Sequence, residues 1–242
     1  MRRFRASSKL TAEVGIPVIA VSNVIKQFGR FAALRGVTAE FSLGRLYAIL
    51  GDNGAGKTTL LRALAGLARP TQGTISILGM SPRDACRDIG YMAHPSLLYD
   101  EMSGMENLRY FARLYGIAVA GPRNNERCAQ VVRSVGLDPE LTRPVGQYSQ
   151  GMRQRMSLAR AILHDPKILL LDEPFSNVDL HSAAAMVGLL RRMRDSGKTV
   201  FVVTHQAGLL DSVADEFIRM QAGQIIERTP ELPAAFSGAG AP

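Results

Sequence analysis

Hydrophobic positions in this chain change period along its length. From Val18 the apolar residues Val18, Ala20, Val21 and Val24 are interleaved with polar ones, the pattern of an edge strand, and Val37–Phe41 begins a second strand-like run. Arg45–Leu50 reads as a buried strand that ends in a glycine-rich turn. Thr58–Leu67 then has helical spacing with a stop near Gly66, and Thr74–Leu78 returns to strand. From about Asp84 to Gly146 the character is helical, although Ile89–Met92 reads as a strand. Ser103 and Glu106 form a capping box, and Leu108, Phe111, Leu114 and Tyr115 recur at helical spacing. Asn124–Val135 is a further predicted helix. Strands are predicted at Lys167–Leu171 and Thr199–Thr204, and helices at Met152–Leu163, Asp179–Arg194 and Gln206–Ala214. The stretch from Thr229 is rich in Pro, Ala and Gly and reads as disordered. The result is an α/β sheet with a helical insertion.

The 242 residues are enough for one large domain or a core with one subdomain. No apolar run approaches the ~18–20 residues that span a bilayer, and the start of the chain lacks the apolar stretch of a signal peptide. Cys86 and Cys128 have no metal-type spacing, which excludes a disulfide framework and fits a reducing compartment. The formal charge is +8, but Arg2, Arg3, Arg5 and Lys9 supply half of that excess. The rest is only mildly basic, so charge makes no case for nucleic acid.

Gly51-Asp52-Asn53-Gly54-Ala55-Gly56-Lys57-Thr58-Thr59 matches the G-x-x-x-x-G-K-[ST] phosphate loop. Glycines let backbone N–H groups converge on phosphate oxygens, and the following helix adds its positive dipole end. Lys57 is placed to reach the β- and γ-phosphates, and the Thr58 hydroxyl to ligate Mg²⁺. Ile168–Asp172 is an apolar strand that ends in the carboxylates Asp172 and Glu173. Asp172 then serves Mg²⁺, and Glu173 polarises the attacking water.

Tyr148-Ser149-Gln150-Gly151-Met152, followed by Arg153–Ala161, resembles the signature motif of the ATP-binding cassette (ABC) ATPases. The order of motifs from about Val18 to Arg228 agrees: phosphate loop, helical insertion, signature, acidic strand, Ser176–Asp179 as D-loop, and His205 after Phe201–Thr204. The resemblance implies a phosphate-loop NTPase core with an antiparallel β edge and an inserted helical subdomain. Its expected bounds are 17–228, with the core at about 17–85 and 160–228, the helical subdomain at 86–159, and flexible tails at 1–16 and 229–242.

The resemblance also implies a division of labour. ATP lies between two cassettes packed head to tail, a second copy or a paralogue. Ser149, Gln150 and Gly151 of one cap the γ-phosphate bound by the other, and Asp179 belongs to the same shared site. His205 touches the γ-phosphate, and Phe28 stands where the family stacks an aromatic on adenine. Catalysis falls to Glu173, His205 and Lys57, with ATP and Mg²⁺ as cofactors. The working partner is a separate transmembrane permease, so the chain is expected at the cytoplasmic face of the membrane as a peripheral subunit, with no nucleic acid.

Three departures stand out. The usual signature Leu-Ser-Gly-Gly-Gln here has Tyr148, Gln150 and Met152 at its first, third and fifth positions. The D-loop middle is Asn177-Val178. The family's Mg²⁺-ligating and partner-sensing glutamine is His94. Kinases and GTPases lack the signature, translation factors of the family carry two cassettes, and its DNA-repair members carry a long coiled coil; a transporter subunit remains. The histidine at position 94 and the run Asn107–Tyr115 are similar to exporter cassettes, of the multidrug type or of the haem-exporter type of cytochrome c maturation.

Overall fold

The computed structural model describes residues 17–117 and 122–236. Strands β1 (Pro17–Phe28), β2 (Phe31–Ser42) and β4 (Gln72–Ile77) form an antiparallel sheet in the order β2-β1-β4. A six-stranded sheet runs β5 (Ile89–Met92), β6 (Ile168–Asp172), β7 (Thr199–Val203), β3 (Leu46–Leu50), β8 (Glu216–Gln221), β9 (Gln224–Thr229). Its first five strands are parallel, and β9 is antiparallel to β8. Helix α1 (Lys57–Leu64) follows β3, and α2 (Gly104–Leu114), α3 (Pro122–Ser134) and α4 (Gln150–Ile162) fill the stretch between β5 and β6. Helix α5 (Leu180–Asp195) connects β6 to β7.

Alternation along the central strands explains the layering. Leu46, Ala48 and Leu50 of β3, with Leu169 and Leu171 of β6, belong to a core shared with α2–α5. Tyr47, Ile49, Ile168 and Leu170 face the opposite core, against α1 and the antiparallel sheet. Both faces are therefore covered, which is why β3, β6 and β7 are buried at every position. Phe41 of the antiparallel sheet meets Tyr47 and Phe201 at 5.1 and 5.0 Å between ring centroids, tying the two sheets together.

The structure corrects three expectations. Strand β5 pairs with β6 in the parallel sheet, so the core continues past residue 86 and the helical segment starts only after Met92. The helix expected over Gln206–Ala214 is one 3-10 turn, Ala207–Leu210; Gly208 and the following Asp211-Ser212 favour turn over helix. The stretch expected to be disordered from Thr229 packs in part: beyond the hairpin of β8 and β9, Leu232 and Phe236 lie against the core. Charged Glu216, Arg219, Glu227 and Arg228 break the apolar pattern that would have marked those strands. The tail at 1–16 and the end of the 229–242 tail, residues 237–242, lie outside the described residues.

Candidate active site

The sequence Gly51–Gly56 forms a loop only because glycine occupies its two tightest points. Gly51 has φ 143°, and a Cβ there would sit 2.2 Å from the Met220 carbonyl; Gly56 has φ 100°, and its Cβ would meet the Ala33 carbonyl at 2.6 Å. The loop ends by starting α1, so first-turn N–H groups face its mouth. Lys57 is buried, and its Nζ donates to the carbonyls of Gly51 (2.6 Å) and Asp52 (2.9 Å). Burial holds this ammonium below the usual lysine range, while Glu173, Asp52 and Asp172 pull it back up.

Parallel pairing of β6 brings its carboxyl end beside the phosphate loop. Thr58 Oγ1 donates to Asp172 Oδ1 at 2.9 Å. Asp172 is 3% exposed, and burial pushes its carboxyl above the usual aspartate value. Glu173 follows in a left-handed backbone conformation, φ 53°, with its N–H donating to the Val203 carbonyl. Such a conformation is costly for a non-glycine residue and concentrates at functional sites. Burial also raises the Glu173 carboxyl, and His205 and Lys57 partly offset that effect. Glu173 Oε2 accepts from the His205 N–H at 3.3 Å. His205 Nε2 lies 3.3 Å from Oε1, a buried oxygen with no hydrogen-bond partner among the described residues.

These groups share a cavity of about 810 Å³, lined by Asn53–Thr59 of the loop and by His94, Asp172, Glu173, Ser176 and His205. Of the anticipated site residues, Gly51, Asp52, Phe28, Ser149, Gln150, Gly151 and Asp179 do not line it. Gly51 and Asp52 act from behind, through their carbonyls on Lys57. Phe28 is 55% exposed, with the Lys26 ammonium 4.9 Å above its ring. Phe31, paired with Phe28 across the β1–β2 turn, does line the cavity. Tyr91 and Arg62 line it as well. Sequence reasoning missed these three; Phe31 stands three residues past Phe28 at the hairpin, a signal that could have found it.

The signature residues gather elsewhere. Exposed Ser149 caps α4 by accepting from the Met152 N–H, and Asp179 caps α5 by accepting from the Ser182 N–H. A Cβ on Gly151 would lie 2.8 Å from Ser182 Oγ, so glycine lets the two helix starts pack together. The geometry thus holds a phosphate-binding half and a separate capping half.

A loop of N–H donors, a buried lysine and a carboxylate pair at a parallel-strand end define a phosphate-loop nucleotide hydrolase. Comparison with known proteins narrows that class. The family model described as ABC transporter matches residues 34–176. The ABC transporter ATP-binding protein NatA of Bacillus subtilis is 35% identical over 201 residues, 81% of either chain. A fluoroquinolones export ATP-binding protein of Mycobacterium tuberculosis is 32% identical over 222 residues, 89% of this chain and 72% of that one. The dimeric post-hydrolysis structure of the ATP-binding cassette MJ0796, bound to ADP and phosphate, superposes with TM-score 0.80 at 26% identity, covering 88% of this chain and 98% of that one. The chain belongs to the ABC transporter ATP-binding family. It is an ATP-binding subunit whose ATPase is coupled to transport.

Proposed function

We propose that this chain powers an exporter as a head-to-tail cassette dimer, docked on a separate permease at the cytoplasmic face of the membrane. The observation that carries the reading is the split site: Lys57, Thr58, Asp172, Glu173, His94 and His205 converge on one cavity, while Ser149, Gln150, Gly151 and Asp179 stand outside it. A second cassette, copy or paralogue, supplies the missing half. Phosphate binds the loop N–H groups and Lys57, and adenine stacks on the β1–β2 hairpin at Phe28. Glu173 takes the proton of the water that attacks the γ-phosphate, and His205 holds that carboxylate and the phosphate in register. A buried aspartate bonded to a threonine hydroxyl suits a hard divalent cation with oxygen preference, so Thr58 and Asp172 would hold Mg²⁺. When bound, Mg²⁺ neutralises phosphate charge.

Docking on a permease is supported by exposed Leu97 (53%) and Tyr99 (45%) beside His94; Leu98 packs instead on the core. No helix among the described residues is long and apolar enough to cross a membrane. Export is favoured by relatives named for fluoroquinolone export and bacitracin transport. A glycerol-3-phosphate import protein is also 34% identical, with 58% of its length matched. Multidrug-type export rests on those names; haem export for cytochrome c maturation rests on His94 and Asn107–Tyr115 alone. ATPase stimulation in membranes holding the cognate permease, by haem or by a fluoroquinolone or bacitracin, separates the two cargoes.

The test of the catalytic reading is Glu173→Gln. It keeps ATP binding, loses hydrolysis by ~10²-fold or more, and accumulates as an ATP-dependent dimer in sizing chromatography. A monomer with intact hydrolysis would overturn it.

A further inference from the structure

His94 hangs in a short loop after β5, and among the described residues β5 is the outermost strand of its sheet, paired on the β6 side alone. The Ile89 and Tyr91 carbonyls, two residues apart, therefore share the unpaired edge. Helix α4 covers that edge. His164 Nε2, just past the helix, is 3.0 Å from the Ile89 carbonyl, Arg160 Nη2 donates to Tyr91 O at 3.1 Å, and Ser157 Oγ donates to Ser96 O at 3.2 Å. Residues 157, 160 and 164 fall on one face at helical spacing.

Helix and strand also touch directly, since a Cβ on Gly90 would lie 2.3 Å from the Ala161 carbonyl. Arg160 is only 6% exposed, and its guanidinium stacks 5.3 Å from the Phe111 ring centre of α2. Its Nε has no hydrogen-bond partner among the described residues. A buried cation with an unmet donor is costly to keep for packing alone.

We infer that Arg160 and Ser157 are positioning residues for His94: they pin the chain on both sides of it, at Tyr91 and Ser96, and so fix where its imidazole stands in the nucleotide cavity. The same helix starts at Ser149, so the His94 loop is registered to the signature segment as well as to its own sheet. This inference rests on the proposed catalytic reading and adds the two residues through which His94 is held.

The test is a double-mutant cycle on the purified chain. Ser157→Ala and Arg160→Lys are each made alone and in a His94→Ala background, with kcat, KM for ATP and thermal midpoint measured for all. The expected result is a kcat loss of about three- to ten-fold for each single variant with KM unchanged, and no further loss once His94 is alanine. Any fall in thermal midpoint should persist in both backgrounds, because packing does not pass through His94. Equal kcat losses in both backgrounds would reduce the two residues to structural support and overturn the inference. So would a His94→Ala variant with unchanged kcat. Failure of the catalytic reading looks different: hydrolysis then survives Glu173→Gln.

Discussion

Lys57 illustrates how much a single charge depends on its surroundings. Its ammonium is buried, depressed by desolvation and held at the loop mouth by two backbone carbonyls. Lys57→Ala is expected to abolish turnover, because no other cation lies inside the phosphate loop; an ATPase assay with undiminished rates would refute the role. The aromatic hairpin permits a graded test. Stacking on a base is worth on the order of 1–3 kcal/mol, so Phe28→Ala should weaken binding of a fluorescent ATP analogue about five-fold or more. Phe31→Ala belongs in the same titration, since Phe31 and not Phe28 lines the cavity. Unchanged affinity in both would remove the hairpin from the nucleotide site.

At the scale of elements, the phosphate loop and the α4–β5 seam are two places where backbones approach closely. Gly56→Ala asks a Cβ to occupy space 2.6 Å from the Ala33 carbonyl at a φ of 100°. Lower thermal stability and loss of ATP binding together are expected, measured by melting with and without nucleotide. His164 supplies the pH dependence of the seam. Burial lowers its imidazole below the ordinary histidine value, with the Ile89 carbonyl and Asp165 opposing and Lys198 and Arg127 reinforcing. A depressed folded value means that protonation favours the unfolded chain. Stability is therefore full above the ordinary value of about 6.5 and falls as pH drops through it toward the folded value. Thermal midpoints between pH 7.5 and 5.5 should fall more steeply for the wild type than for His164→Gln. Parallel slopes would show that His164 carries none of the effect.

For the whole molecule, the separated capping half is the dominant fact. Among the described residues, Ser149 serves as a helix cap and Gly151 packs on Ser182 and accepts from Arg155 Nε through its carbonyl. Ser149→Ala should accordingly change stability by no more than about 1 kcal/mol yet suppress ATP-dependent dimer formation in the Glu173→Gln background. Docking belongs to this scale as well. Replacing exposed Tyr99, which does not line the nucleotide cavity, with Asp should release the chain from permease-containing membranes while leaving ATP binding alone, as fractionation and nucleotide titration would show. Retention on membranes would place the contact elsewhere.

Local signals in the sequence carry the phosphate loop, the capping box at Ser103 and Glu106, and the fully apolar strands β3, β6 and β7, because each is specified by residues adjacent in the chain. The acidic pair at Asp172-Glu173 is legible for the same reason. What the sequence could not state is which of these meet. Thr58 reaches Asp172 only because β6 lies parallel in the sheet, and the Ile89–Met92 strand joins that sheet despite its place before a helical stretch. Strands β8 and β9 were hidden because Glu216, Arg219, Glu227 and Arg228 interrupt their apolar pattern, while long-range pairing with β3 secures β8 and pairing with β8 secures β9. The pinning of the His94 loop by Arg160 and Ser157 is wholly tertiary. A buried arginine and a serine in a helix are ordinary in one dimension, and they acquire a task only when α4 is laid against unpaired carbonyls, where backbone polar groups must find donors.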